Sequence, residues 1–165
     1  MYKALLSDVD GTLIQNKRDG MPSQRVRNAI AEAQKIIHIG VATSRPLFFM
    51  KNIFDSLPLS GPCVVSGGTQ IYDATTKKVV KIITIEPDDF WTVVHLVEPH
   101  FDRLQVNEGD REVKLTPQYD PKKALGIFIQ GITPELGEIL IDKVSNISGV
   151  AAHKLTSHDP GKMDI

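Results

Sequence analysis

The sequence predicts an α/β protein: a parallel sheet of short buried strands with amphipathic helices between them, followed by an α+β unit. Three observations carry this. Apolar runs too short for helices, at Ala4–Leu6, Ile37–Ala42 and Pro62–Val65, stop abruptly in polar turn sequence. Stretches with apolar residues at helical spacing separate them. From Glu86 onward the order of segments changes, which places a first domain at 1–80 and a second at 81–165.

The first strand spans residues 4–8 and runs into Asp8-Val9-Asp10-Gly11-Thr12-Leu13. In extended backbone, positions i and i+2 point the same way, so Asp8 and Asp10 face one point just beyond the strand. Gly11 lets the backbone turn sharply, and Thr12 brings a hydroxyl and an N–H to the same space. Open α/β sheets bind ligands outside the carboxyl ends of their strands. The stretch therefore reads as a cation site with a candidate carboxylate nucleophile.

Ser23 caps the next helix, whose inward stripe is Val26, Ala29, Ile30, Ala33, Ile36 and Ile37. The second strand then ends in Thr43-Ser44-Arg45-Pro46. In a parallel sheet Thr43 and Arg45 arrive beside Asp8, and a hydroxyl and a guanidinium suit phosphate oxygens. A helix over 46–57 turns Phe49, Met50, Ile53 and Leu57 inward. The third strand leads into Ser66-Gly67-Gly68-Thr69, which loops back towards the site, and a hairpin follows over 71–85 with its tip at 74–78.

In the second domain a helix covers 87–101, with Phe90, Val93, Val94 and Val97 on its apolar face. His95 and His100 on or near that face read as structural or exposed. Strands follow at 104–107 and 124–130, with a short one inside the charged stretch 108–123. Thr133 caps a helix running to about Ser145, with Leu136, Ile139, Leu140 and Val144 inward, and 150–156 closes the unit as a strand. The arrangement reads αββαβ, two helices on one side of a small antiparallel sheet.

The string D-V-D-G-T-L after an apolar strand resembles the first motif of the haloacid dehalogenase (HAD) superfamily of phosphotransferases. V-A-T-S-R-P resembles its second motif, commonly A-T-G-R-P in Cof-type members. The motif likeness covers 1–73, and the order of elements extends it over 80–165. The resemblance implies a Rossmann-like parallel-sheet core, here its N-terminal half, with an inserted α+β cap domain of subclass IIB type. It also implies that Asp8 attacks phosphorus to form an aspartyl-phosphate, while Asp10 protonates the leaving alcohol and then activates water. Mg²⁺ would be held at Asp8 and Asp10. Gly11, Thr12, Thr43, Ser44, Arg45, Gly67 and Gly68 would surround the phosphate. Ser44 stands where the family usually has glycine, and Gly67-Gly68 where it usually has Asn-Gly. The implied substrate is a small phosphorylated metabolite, sugar phosphates first, with cap contacts from the loop between Glu108 and Tyr119.

Two family pieces have no counterpart in the sequence: the lysine that neutralises nucleophile and phosphate, and a G-D-x-x-x-D string. Lys162 reads as a hairpin residue, and Asp164-Ile165 as the start of the strand that returns to the core. The expectation is thus a truncated or partial form, whose first strand has an unpaired edge and bare apolar faces that a homodimer would cover. Two alternatives stand beside the phosphatase. One is a catalytically incomplete HAD-fold fragment or binding protein; the other is a phosphomannomutase-like phosphotransferase.

Composition narrows the classes further. Nineteen basic against twenty acidic residues give a formal charge of −1, which offers no electrostatic case for nucleic acid or an anionic membrane. No apolar run approaches the ~20 residues of a membrane span. Cys63 is the single cysteine, so no disulfide framework forms within the chain. The start of the sequence lacks the pattern of a signal peptide, and the expected location is cytoplasmic.

Overall fold

The computed structural model describes residues 3–15, 19–97, 99, 102, 104–155 and 162–165. The chain divides into two compact units, Met1–Ile82 and Ile83–Ile165.

In the first unit, β1 (Ala4–Ser7) runs parallel to β2 (His38–Val41), with Leu5 opposite Ile39. A parallel bridge between Ala42 and Val64 joins β2 to β3 (Pro62–Val65). Then β4 (Gln70–Asp73) and β5 (Lys78–Ile82) continue as an antiparallel meander. Gly40 makes the β2–β3 approach feasible. A Cβ there would lie 2.4 Å from the Pro62 carbonyl oxygen and 2.8 Å from a Leu6 methyl. Any side chain would push apart the strands whose ends carry the site.

Ser23 starts α1 (Gln24–Ala33) as its sequence demands: its Oγ accepts the Val26 N–H at 3.3 Å. The helix stops four residues short of its expected stripe. Lys35 and Ile36 donate to the carbonyls of Glu32 and Ala33, so the chain tightens into i→i+3 turns and leaves the helical period. Ile36, expected inward, is consequently 80% exposed. In α2 (Leu47–Ser56) the buried face is Leu47, Met50 and Ile53. Phe49 sits one residue, about 100°, off that face and is exposed rather than inward.

These helices cover one sheet face, where Ile39, Val41, Cys63 and Val65 pack with Ile30, Met50 and Ile53. Burial pushes the Cys63 thiol pKa up, with the Val41 backbone opposing and Asp73 adding to the rise, so the thiol stays neutral as a packing group. Among the described residues β1 is the edge of this array. Its Leu5 and Leu6 point to opposite faces and are 52% and 49% exposed.

The second unit is an antiparallel sheet in the order β7-β6-β8-β10-β9. Its strands are β6 (Leu104–Asn107), β7 (Glu112–Lys114), β8 (Gly126–Gln130), β9 (His153–Leu155) and β10 (Lys162–Asp164). Five strands stand where the sequence reading named four, at 104–107, within 108–123, at 124–130 and at 150–156, and β10 is the addition. β10 pairs with both β8 and β9, so Asp164 lies within this sheet, and Lys162 is a hairpin residue as expected.

Leu104, Val106, Ile127, Ile129 and Met163 share one sheet face and form a single core with α3 (Pro87–Leu96) and α4 (Pro134–Val144). Phe90, Val93, Val94 and Val97 are buried as the spacing predicted. α3 ends at Leu96, and the expected continuation through His100 and Phe101 lies outside the described residues. Thr133 caps α4 through its Oγ1, which accepts the Leu136 N–H at 3.3 Å. Ile139 departs from its expected place: Leu140 and Val144 define the buried stripe, and Ile139 is 53% exposed. Among the described residues no helix is long and apolar enough to cross a membrane.

Candidate active site

Three strand-to-loop turns of the first unit carry the residues singled out in the sequence. After β1, the Val9 carbonyl accepts the N–H groups of Thr12, Leu13 and Ile14, and Gly11 takes φ +75° to make this turn. Val9 is fully buried, whereas its neighbours Asp8 and Asp10 are exposed and part-exposed. The turn that presents the two acids is thus anchored by the residue between them. Thr12 commits its N–H to Val9, at 3.3 Å.

After β2, Thr43 and Arg45 are buried and Ser44 is exposed. The Thr43 Oγ1 accepts the Arg45 N–H at 3.2 Å, which leaves its own hydroxyl hydrogen as a donor. The Arg45 side chain turns towards the first loop. Its Nε donates to Asp10 Oδ2 at 2.7 Å and its terminal nitrogen to Asp10 Oδ1 at 2.6 Å, a two-point fork between side chains 9% and 14% exposed.

After β3, Ser66, Gly67 and Gly68 hold φ of +54°, +63° and +101°. A left-handed Ser costs roughly 1–2 kcal/mol, and two anchors hold it there. Its N–H donates to the Arg45 carbonyl at 2.9 Å, and its Oγ donates to the buried Gln70 Oε1 at 2.7 Å. The Thr43 N–H meanwhile donates to the Val64 carbonyl at 3.0 Å. The three loops are therefore tied in series, Asp10 to Arg45 to Ser66, with Gly67 and Gly68 exposed at the end.

The Arg45–Asp10 fork is what sequence reasoning missed. Both residues stood out individually, but no sequence signal pairs side chains 35 positions apart. Among the described residues, no group of three or more His, Cys, Asp or Glu could hold a metal ion. A cavity of about 540 Å³ lies at the first loop, lined by Thr12, Gln15, Asp19, Met21 and Ser23 among others, and neither Asp8 nor Asp10 is among its lining residues.

In the second unit, the loop singled out for substrate contacts is internally bonded. Arg111 donates to Glu108 Oε2 at 2.8 Å, and the Tyr119 hydroxyl donates to Glu108 Oε1 at 3.3 Å. Burial, then the charge and hydrogen bond of Glu108, push the Tyr119 hydroxyl pKa well up. A folded-state pKa above the ordinary value near 10 contributes stability that is present below pH ~10 and is lost as pH rises beyond it. The stability gap between parent and Tyr119→Phe, followed by urea unfolding from pH 8 to 11, is expected to shrink above pH ~10. A gap that is constant with pH would refute this.

A family model described as haloacid dehalogenase-like hydrolase matches residues 5–148. The chain belongs to the haloacid dehalogenase-like hydrolase family. No curated protein matches the sequence. Solved structures do match this HAD-like chain in fold. A HAD-superfamily phosphatase from Bacteroides thetaiotaomicron aligns with a TM-score of 0.73 at 21% identity, covering 99% of this chain and 66% of its own. A haloacid dehalogenase-like hydrolase from B. subtilis gives 0.75 at 16%, covering 98% and 72%. A HAD subclass IIB sugar phosphatase gives 0.66 at 16%, covering 98% and 68%. This HAD-like chain therefore spans about two thirds of the length of each of these proteins, and at such identities the likeness is one of fold.

Proposed function

We propose that this HAD-like protein is a Mg²⁺-dependent phosphohydrolase of small phosphorylated metabolites, sugar phosphates being the favoured class, working through an aspartyl-phosphate on Asp8. The observation that carries the reading is the exposed Asp8 carboxylate just after β1, two residues from Asp10, to which the loops after β2 and β3 are tied in series through Arg45 and Ser66. An Asp8 carboxylate oxygen attacks phosphorus, and the bond to the leaving oxygen breaks. That oxygen takes its proton from Asp10. Water then attacks the aspartyl-phosphate, gives a proton to the Asp10 carboxylate and releases orthophosphate, restoring Asp8. The Thr43 hydroxyl hydrogen, and the main chain around Gly67 and Gly68, are the donors suited to the phosphoryl oxygens.

The donor chemistry suits Mg²⁺. Asp8 supplies one exposed hard-oxygen carboxylate, and this ion is usually held by one or two carboxylates with substrate phosphate and water completing its shell. Asp8 would hold it, with Asp10 alongside, and the ion would supply charge neutralisation at the phosphoryl oxygens.

The deciding experiment is hydrolysis of p-nitrophenyl phosphate by the full chain, with added Mg²⁺ and with a chelator, and with sugar phosphates as competitors. Orthophosphate release that needs added Mg²⁺ and is inhibited by a sugar phosphate is expected. Release no faster than in buffer would overturn the enzyme reading and leave a catalytically incomplete HAD-fold fragment or binding protein.

A further inference from the structure

We infer that Arg45 is the positioning residue for Asp10, fixing the orientation in which that carboxylate gives and takes protons, rather than a ligand of the phosphate. This rests on the proposed reaction and adds to it a division of labour between the two conspicuous residues of the second loop.

An Asp side chain alone has two rotatable bonds, and a part-exposed one samples several orientations. The fork removes both freedoms. One guanidinium edge contacts both carboxylate oxygens, at 2.7 and 2.6 Å, so the carboxylate plane is defined as well as its position. The guanidinium is itself held from behind. The Arg45 N–H donates to Thr43 Oγ1, its carbonyl accepts the Ser66 N–H, and the side chain is 9% exposed. Asp10 is held from the other side by the bridge to Ile14 and the triple hydrogen bond on Val9. Both ends of the pair therefore sit on fixed backbone, which is what precise proton transfer requires.

Phosphate and Asp10 differ as demands on Arg45, and two leaving groups separate them. p-Nitrophenolate departs without a proton, so transfer to Asp8 proceeds without the acid, whereas removal of the phosphoryl group by water still needs the base. An alkyl phosphate such as glycerol 3-phosphate needs Asp10 in both halves. Arg45→Gln is expected to lower kcat for the alkyl phosphate by on the order of 10²-fold with KM little changed. With p-nitrophenyl phosphate the same variant is expected to release one equivalent of nitrophenolate in a burst, then turn over slowly with phosphorylated protein accumulating. Arg45→Lys keeps the charge and loses the two-point geometry, so it is expected to behave likewise. It also carries the test if Arg45→Gln fails to fold by circular dichroism. A rise in KM for both substrates, equal losses of rate and no burst would make Arg45 a phosphate ligand and overturn the inference. Full recovery by Arg45→Lys would do the same, because charge alone would then suffice. An unmodified chain that hydrolyses neither substrate would refute the proposed reaction itself and take the positioning role down with it. An active parent without a burst in the variants refutes the positioning role alone.

Discussion

Asp8→Asn is expected to lower the rate of aryl phosphate hydrolysis by on the order of 10⁴-fold or more, as removal of a covalent nucleophile does elsewhere. The substitution is nearly isosteric, and an amide oxygen carries neither the charge nor the nucleophilicity of a carboxylate. The local fold gives no reason for a loss of stability. The Asp8 side chain is exposed, β1 is held by its parallel register with β2, and the turn is closed by hydrogen bonds on Val9. The variant should unfold at the parental urea midpoint while losing the reaction, and acid-quenched mass measurement should find phosphorylated protein in the parent only. A variant as fast as the parent would remove Asp8 from the nucleophile's role, whatever the fate of the wider reading.

Phe90→Ala is expected to cost about 3–5 kcal/mol of stability, read from the urea midpoint. Phe90 is fully buried in the core of the second unit. Trp91 meets its ring edge-on at 5.3 Å and Tyr119 stacks on it at 5.4 Å. Truncation would leave a ring-sized void between α3 and the loop that carries Tyr119, and aromatic contacts of this kind are worth about 0.5–1.5 kcal/mol beyond their buried area. Phe90→Leu, which keeps much of the volume, should lose distinctly less. A loss below about 1 kcal/mol for the alanine variant would show that the surroundings collapse into the space, against the picture of a rigid core.

The helices show where sequence reasoning reaches and where it stops. Caps are local chemistry, so Ser23 and Thr133 were legible: each offers its side-chain oxygen to an N–H three residues on. Stripes are less local. Ile36, Phe49 and Ile139 matched an apolar period, yet each is exposed. The period says that a helix has an apolar side, but the neighbours that cover it decide which residues lie at its centre and which at its margin. β10 escaped for a related reason. Lys162–Asp164 alternates polar, apolar, polar over only three residues, too few to mark a strand, and becomes one by pairing with β8 and β9 on either side.

By itself the sequence determined the order of strands and helices as far as β9, the turn chemistry at the ends of β1, β2 and β3, and the family to be expected. All of these are written in runs of a few adjacent residues, where backbone sterics and side-chain polarity act without help from elsewhere. Tertiary structure alone decided that the Arg45 guanidinium closes on Asp10 and that Ser66 is drawn into a left-handed conformation. Each depends on where the chain returns after tens of residues. A charge or a strained dihedral acquires its meaning only from the partner that folding brings against it.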